Sequence, residues 1–213
     1  MSSEMIFLSI LGAILIGAMS PGPSFVLVSR TAIAQGRSAG IAAALGMGVG
    51  GACLGGLALL GLSALLLRAE AVFLLVKVLG GLYLVYLGFR IFRDASAPIT
   101  FESGGPDRAK SLGGNLVMGL LIQLSNPKTV IVYGSIFAAL LPAEPEHWLM
   151  FTLVPMLFGI EAGWYLVVAL VFSANAPRRA YMRAKIWIDR AAGAVMAGLG
   201  IRLAAEGISS RIW

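Results

Sequence analysis

The sequence predicts an all-α integral membrane protein with six transmembrane helices, arranged as two inverted-topology three-helix repeats. Three observations predict this class. Only 12% of the 213 residues are charged, while 59% are hydrophobic and the mean hydropathy is +0.90. Soluble chains carry roughly 25% charged residues, so this surface suits lipid rather than water. Apolar runs long enough to cross a bilayer recur along the chain. Landmarks in the first half return in the second.

A bilayer core takes about 20 apolar residues as helix. Met5 to Ser29 and Ser38 to Leu67 carry no charge. Ala71 to Phe89 contains only Lys77, Ser111 to Ala143 only Lys128, and His147 to Pro177 only Glu161. The sixth span, Ile186 to about Ala205, is the weakest, with Asp189, Arg190 and Arg202 in or beside it. The second span exceeds one crossing and is expected to tilt. Its Gly46-x3-Gly50 and Gly51-x3-Gly55 spacings, with Gly36-x3-Gly40 just before, suit close helix packing, either within the chain or across a homodimer seam. The first run is too long for a secretory h-region and lacks a basic n-region, so it reads as a retained helix.

Basic residues fix the orientation. With the N-terminus outside, cytoplasmic segments hold Arg30, Arg37, Arg90, Arg93, Arg108, Lys110, Arg178, Arg179, Arg183, Lys185 and Arg190. Outer segments hold Arg68, Arg202 and Arg211, so eleven stand against three. Both termini are thus expected in the periplasm of a multi-pass inner-membrane protein. The net charge of +6 then reflects topology, and no nucleic-acid partner is expected. Trp148, Trp187 and Trp213 suit interfacial belts. Pro98, Gly104, Gly105 and Pro106 mark a flexible cytoplasmic linker. The organisation is a first repeat over 1–93, a linker over 94–112 and a second repeat over 113–213.

The repeat is read from two matches. Gly81-x6-Gly88 in span three matches Gly193-x6-Gly200 in span six, 112 residues later. Ser20-Pro21-Gly22-Pro23 in span one matches Ser125-Asn126-Pro127-Lys128 in span four, with Pro23 and Pro127 offset by 104. An odd number of spans per repeat inverts the second copy, a plan common among secondary transporters.

The prolines break spans one and four near mid-membrane and should free the carbonyls of Gly17, Met19 and Gln123. Freed groups cost several kcal/mol in hydrocarbon, so the breaks should face protein or a wet cavity. Lys128 lies at least 15 residues from either end of its run, about 22 Å at 1.5 Å per residue, beyond the reach of a snorkelling stem. Glu161 is as deep, 14 residues after His147 and 16 before Pro177, and is the natural partner for Lys128. A structural ion pair and a proton-carrying carboxylate are the two roles open to it. Lys77 and Asp189 lie nearer span edges and read as interfacial. Trp164, one turn from Glu161, can line the same cavity.

These residues assemble into a candidate site. Half-helix N-termini around Ser24–Phe25 and Thr129–Val130, with Lys128, suit a substrate carboxylate; freed carbonyls and Glu161 suit an ammonium. The substrate-binding set is Ser20, Pro21, Gly22, Pro23, Ser24, Asn126, Pro127, Lys128, Thr129 and Trp164, with Glu161 as proton carrier. The geometry fits a zwitterionic amino acid, and no cofactor or metal is expected.

Ser-Pro-Gly-Pro, Gly36-x3-Gly40 and Ala44-x-Gly46, then Asn126-Pro127-Lys128 and the acidic residue three before Trp164, together resemble the lysine exporter (LysE/RhtB) family of amino-acid efflux permeases. The resemblance covers essentially the whole chain. It implies proton-driven export of amino acids or close derivatives from the bacterial cytoplasm. Three other classes stand beside it. A metal-ion exporter is poorly served by the single Cys53 and single His147. An intramembrane Ser–Lys enzyme would have to use Lys128 with Ser125 or Ser20. The third is a Gly-rich, non-transporting assembly subunit.

Overall fold

A computed structural model describes residues 2–68, 70–97, 111–142 and 145–209. Arg108, Lys110, Arg211, Trp213 and the linker's Pro98, Gly104, Gly105 and Pro106 lie outside these residues. Every regular element among the described residues is helical: α1 (Ser3–Met19), α2 (Pro23–Gln35), α3 (Arg37–Arg68), α4 (Glu70–Arg93), α5 (Leu112–Leu124), α6 (Pro127–Leu140), α7 (His147–Phe172) and α8 (Asn175–Ser209), with a 3-10 turn at Asp94–Ser96. Three helices, α3, α7 and α8, are long and apolar enough to cross a membrane alone. The pairs α1 with α2 and α5 with α6 reach that length together, bent by 58° and 56° at their breaks. That makes up to five spans by length and composition. The 24-residue α4 lies alongside α8.

Local chemistry sets the breaks. Residues before proline are pushed from the α region, and Ser20 (ψ 123°) and Gly22 (φ −151°, ψ −170°) are extended. The chain therefore stops at Met19 and restarts with Pro23 in the first turn of α2, where its missing N–H is harmless. At the second break Asn126 caps α6, its Oδ1 accepting from Lys128 N at 3.0 Å, with Pro127 in the first turn. Between α2 and α3 the chain turns at Gly36, whose φ of +90° L side chains rarely adopt.

Glycine sets how closely the helices pack. A Cβ on Gly50 would lie 2.7 Å from Gln123 Cβ of α5. One on Gly51 would lie 2.7 Å from Glu161 Cγ of α7, and one on Gly48 the same distance from Ala162 Cβ. Gly46, Gly50, Gly51 and Gly55 of α3 are thus packed inside the chain, against α5 and α7. Gly81 faces Gly200, and Gly88 faces Gly193: added Cβ atoms would meet the opposing carbonyls at 2.5–2.8 Å. Under the 112-residue offset these two contacts exchange with each other.

The helix ends are tied in two sets. Ser3 Oγ donates to Glu146 at 2.5 Å, Trp148 Nε1 donates to the same carboxylate at 2.6 Å, and Phe7 packs edge-on against Trp148. Those hydrogen bonds, Ser3's first, hold the Glu146 carboxyl below the usual carboxylate range. At the other end Asn115 donates to Gln35 at 3.1 Å, and Lys185 of α8 donates to the carbonyl of Ala95 at 2.9 Å. The start of the expected linker is thus a packed turn, with Ala95 buried against α8. Large apolar side chains, Phe151, Leu79, Leu82 and Phe89 among them, cover the outer faces.

Close glycine contact makes a specific prediction. Gly200→Ala should lower the heat stability of the detergent-solubilised protein by about 1–3 kcal/mol, the usual cost of overpacking. Gly198→Ala, on the same helix with open space where its Cβ would sit, should not. Size-exclusion recovery after a temperature series measures both; equal sensitivity would refute the contact.

Candidate substrate site between the two breaks

The two interrupted spans meet. Asn126 Nδ2 donates to Ser24 Oγ at 2.9 Å, and Ser24 Oγ donates to Gln123 Oε1 at 2.6 Å. This chain of buried polar groups ties the start of α2 to the α5–α6 junction. Lys128 reaches across the same gap, and its Nζ donates to the carbonyl of Ser20 at 2.8 Å. Gly22 lies beside the lysine stem, where an added Cβ would stand 3.6 Å from Lys128 Cδ.

The carbonyl that serves Lys128 is not one of the three expected. Because α1 ends outright instead of kinking, Ser20 O has no helical donor, and the lysine takes it. Gln123 O accepts from Asn126 N at 3.1 Å, so the turn itself satisfies it. The half-helix ends also differ. Asn126 O accepts from Thr129 N at 3.1 Å and Val130 N at 3.3 Å, which closes the first turn of α6. In α2 Val26 N likewise donates to Gly22 O at 3.0 Å, but Gly22 gives no side-chain cap, which leaves the N–H groups of Ser24 and Phe25 without a helical acceptor. Of the two ends, α2 is the open one.

Glu161 is 3% exposed on α7. Tyr133 Oη donates to its Oε1 at 2.7 Å, while Oε2 closes no hydrogen bond. Nor does Gln123 Nε2, although the Gln123 amide acts on this carboxylate. The expected partnership with Lys128 is not a direct ion pair, since no Lys128–Glu161 contact falls within 4 Å among the described residues. The two charges act on each other across an inner cavity. An ammonium has three donors, and Lys128 uses one on Ser20, which leaves two for a ligand.

That inner cavity is small, about 20 Å³ of water-sized space, and is lined by Ser20, Gly22, Ser24, Asn126, Lys128, Thr129, Tyr133, Glu161 and Tyr165 among others. A larger space of about 550 Å³ adjoins it. It runs past Pro21, Pro23 and Pro127 to Arg90 and Asp94 at the end of α4, with Lys185 and Asp189 of α8 in its wall. Lys128, Ser20, Gly22 and Asn126 line both spaces.

Nine of the ten expected substrate-binding residues therefore line one or both cavities, as does Glu161. Trp164 lines neither and packs instead with the cluster around Phe25 and Val28. Its neighbour Tyr165, four residues after Glu161, takes the cavity face. Sequence reasoning missed the side chains of Tyr165, Tyr133 and Gln123; of these only Tyr165, at i+4 from Glu161, carried a helical-spacing signal. Asp189, expected near a span edge, is packed within the protein. In the fold Asp189 is 3% exposed, and its Oδ2 accepts from Lys185 at 2.7 Å. Lys77, by contrast, sits 3.6 Å from the half-exposed Glu206.

Comparison with known proteins places this geometry. The model of the LysE type translocator family matches residues 15–207. The threonine efflux protein of Escherichia coli (strain K12) is 35% identical over 204 residues, covering 93% of this chain and 97% of that protein. Its Salmonella typhi counterpart is 34% identical over the same shares. An uncharacterized membrane protein of E. coli K12, YahN, is 32% identical over 200 residues, 94% of this chain and 89% of that one. No solved structure matches. Translocators move a solute and are not enzymes, which removes the Ser–Lys reading. With the match running from the first span to the last helix, the chain belongs to the LysE type translocator family.

Proposed function

We propose that this protein is a secondary active exporter of amino acids or close derivatives from the cytoplasm, exchanging them for protons across the bacterial inner membrane. The observation that carries this is the meeting of two broken helices around an unpaired cation and an unpaired carboxylate. Lys128, with two spare donors beside the open N-terminus of α2, receives the substrate carboxylate. Glu161 Oε2 receives the ammonium. The relatives' printed function makes L-threonine the first cargo to test.

Coupling follows from burial. A bare carboxylate is costly in a dry interior, whereas a paired or protonated one is tolerated. Glu161 therefore crosses outward with the substrate ammonium and returns carrying a proton taken from outside. Each cycle exchanges one for the other.

The reading includes six spans, formed by α1–α2, α3, α4, α5–α6, α7 and α8, in repeats 1–93 and 113–213 joined by 94–112. The reciprocal contacts Gly81–Gly200 and Gly88–Gly193 support a two-fold relation between inverted halves. The larger cavity leads toward Arg90, Asp94 and Lys185, on the side the basic residues assign to the cytoplasm. Both termini then face the periplasm.

Counterflow of radiolabelled L-threonine in proteoliposomes tests the site. Lys128→Met should cut transport efficiency roughly 10- to 100-fold with the fold intact, since a hydrogen bond to a charged group is worth about 1.5–3 kcal/mol. Glu161→Gln should abolish accumulation driven by a pH gradient; accumulation that persists removes Glu161 from the coupling role. Orientation has its own test, with single cysteines introduced into a Cys53→Ser background. Those at Ser3 and His147 should react with a membrane-impermeant maleimide from the periplasm, and those at Ser111 and Arg178 only after permeabilisation.

A further inference from the structure

We propose that Asp189 is a second recognition group, a carboxylate in the wall of the larger cavity that receives the substrate's ammonium before it reaches Glu161. The inference rests on the exporter reading above and adds a reception site on the cytoplasmic side of Lys128.

Asp189 is 3% exposed, and only one of its oxygens is used: Oδ2 accepts from Lys185 Nζ at 2.7 Å, while Oδ1 closes no hydrogen bond. Lys185, 6% exposed, spends a second donor on the Ala95 carbonyl at 2.9 Å. The lysine thus holds one oxygen of Asp189 and leaves the other unclaimed. A pair with a purely structural task pays desolvation for both charges and is favoured only when its remaining lone pairs are satisfied. Here one stays open beside a cavity.

The placement of the two carboxylates gives the open oxygen a use. Lys128 lines both cavities, Asp189 only the larger one and Glu161 only the inner one. The charges of Lys128 and Asp189 act on each other, as do those of Lys128 and Glu161. A zwitterion whose carboxylate rests on Lys128 can direct its ammonium to Asp189 while the larger cavity is open. It then turns the ammonium to Glu161 as the substrate moves inward. Arg90 at the rim supplies a further cation for the incoming carboxylate. The ligand class is a primary ammonium on a small zwitterion.

Titration calorimetry on the full-length protein in detergent tests this with L-threonine, 1-amino-2-propanol, which lacks the carboxylate, and 3-hydroxybutyrate, which lacks the amine. Asp189→Asn should weaken both amines at least tenfold and leave 3-hydroxybutyrate unchanged. Asp189→Glu should fall between this variant and wild type, and it keeps the test sound if the Asn variant folds poorly. Unaltered amine affinity in Asp189→Asn, equal loss of all three ligands, or a wild type that binds neither amine would overturn the proposal. Amine binding sensitive to Asp189 in a protein that exchanges no amino acid in vesicles would sink the exporter reading and leave this site standing.

Discussion

Hydrocarbon offers no hydrogen bonds, so a helix interrupted at mid-membrane must find partners for its backbone within the protein. That constraint organises this molecule. Neither break satisfies itself completely: the first leaves Ser20 O and the initial N–H groups of α2, and the second supplies Lys128 and the Asn126 amide. Placed together, they serve each other through Lys128 to Ser20 O and Asn126 to Ser24. The remaining needs, two ammonium hydrogens and the open start of α2, are those a carboxylate would meet. The same contacts that make the breaks tolerable in lipid line the candidate site.

Bringing the breaks together requires the surrounding helices to come close. Lipid tails are as apolar as leucine, so close van der Waals packing has to supply what the hydrophobic effect supplies in water. The glycines of α3 let α5 and α7 approach on two of its faces, and Gly51 in particular admits the stem of Glu161 beside Tyr133. A second glycine seam holds α4 against α8, which places Asp189 and Lys185 across the larger cavity from Pro21–Pro23. Packing and chemistry are therefore coupled residue by residue: one methyl at Gly51 would displace the carboxylate itself.

Much of this was legible in the sequence because membrane burial makes charge and proline conspicuous. Lys128 and Glu161 stood out by depth alone, and the prolines located both breaks. What escaped was set by helix phase and helix length. Trp164 and Tyr165 both lie near Glu161 in sequence, but only the residue at i+4 shares its cavity face, and the tryptophan turns toward Phe25. Asp189 was placed by its distance from the span's end, which says nothing of its neighbours; in the fold it is buried, with Lys185 one turn earlier on its Oδ2. The breaks were expected to free the carbonyls four residues before each proline; because α1 ends at Met19, Ser20 O serves Lys128 instead.

The asymmetry between the breaks bears on direction. If both half-helix ends were open, a carboxylate could be held equally by either, and the inverted halves would offer no preferred path. Instead α6 is closed by Asn126, α2 is left open, and the one lysine comes from α6 to reach the α1–α2 break. On the proposed reading the substrate carboxylate is held near Gly22, at the boundary of the two cavities, and only the ammonium end is free to move. A carboxylate so anchored, with Asp189 toward one cavity and Glu161 within the other, would turn a translation through the membrane into a rotation about one point. Such a rotation never strands the ammonium in a dry interior, which is the requirement a pore of uniform walls could not satisfy without water.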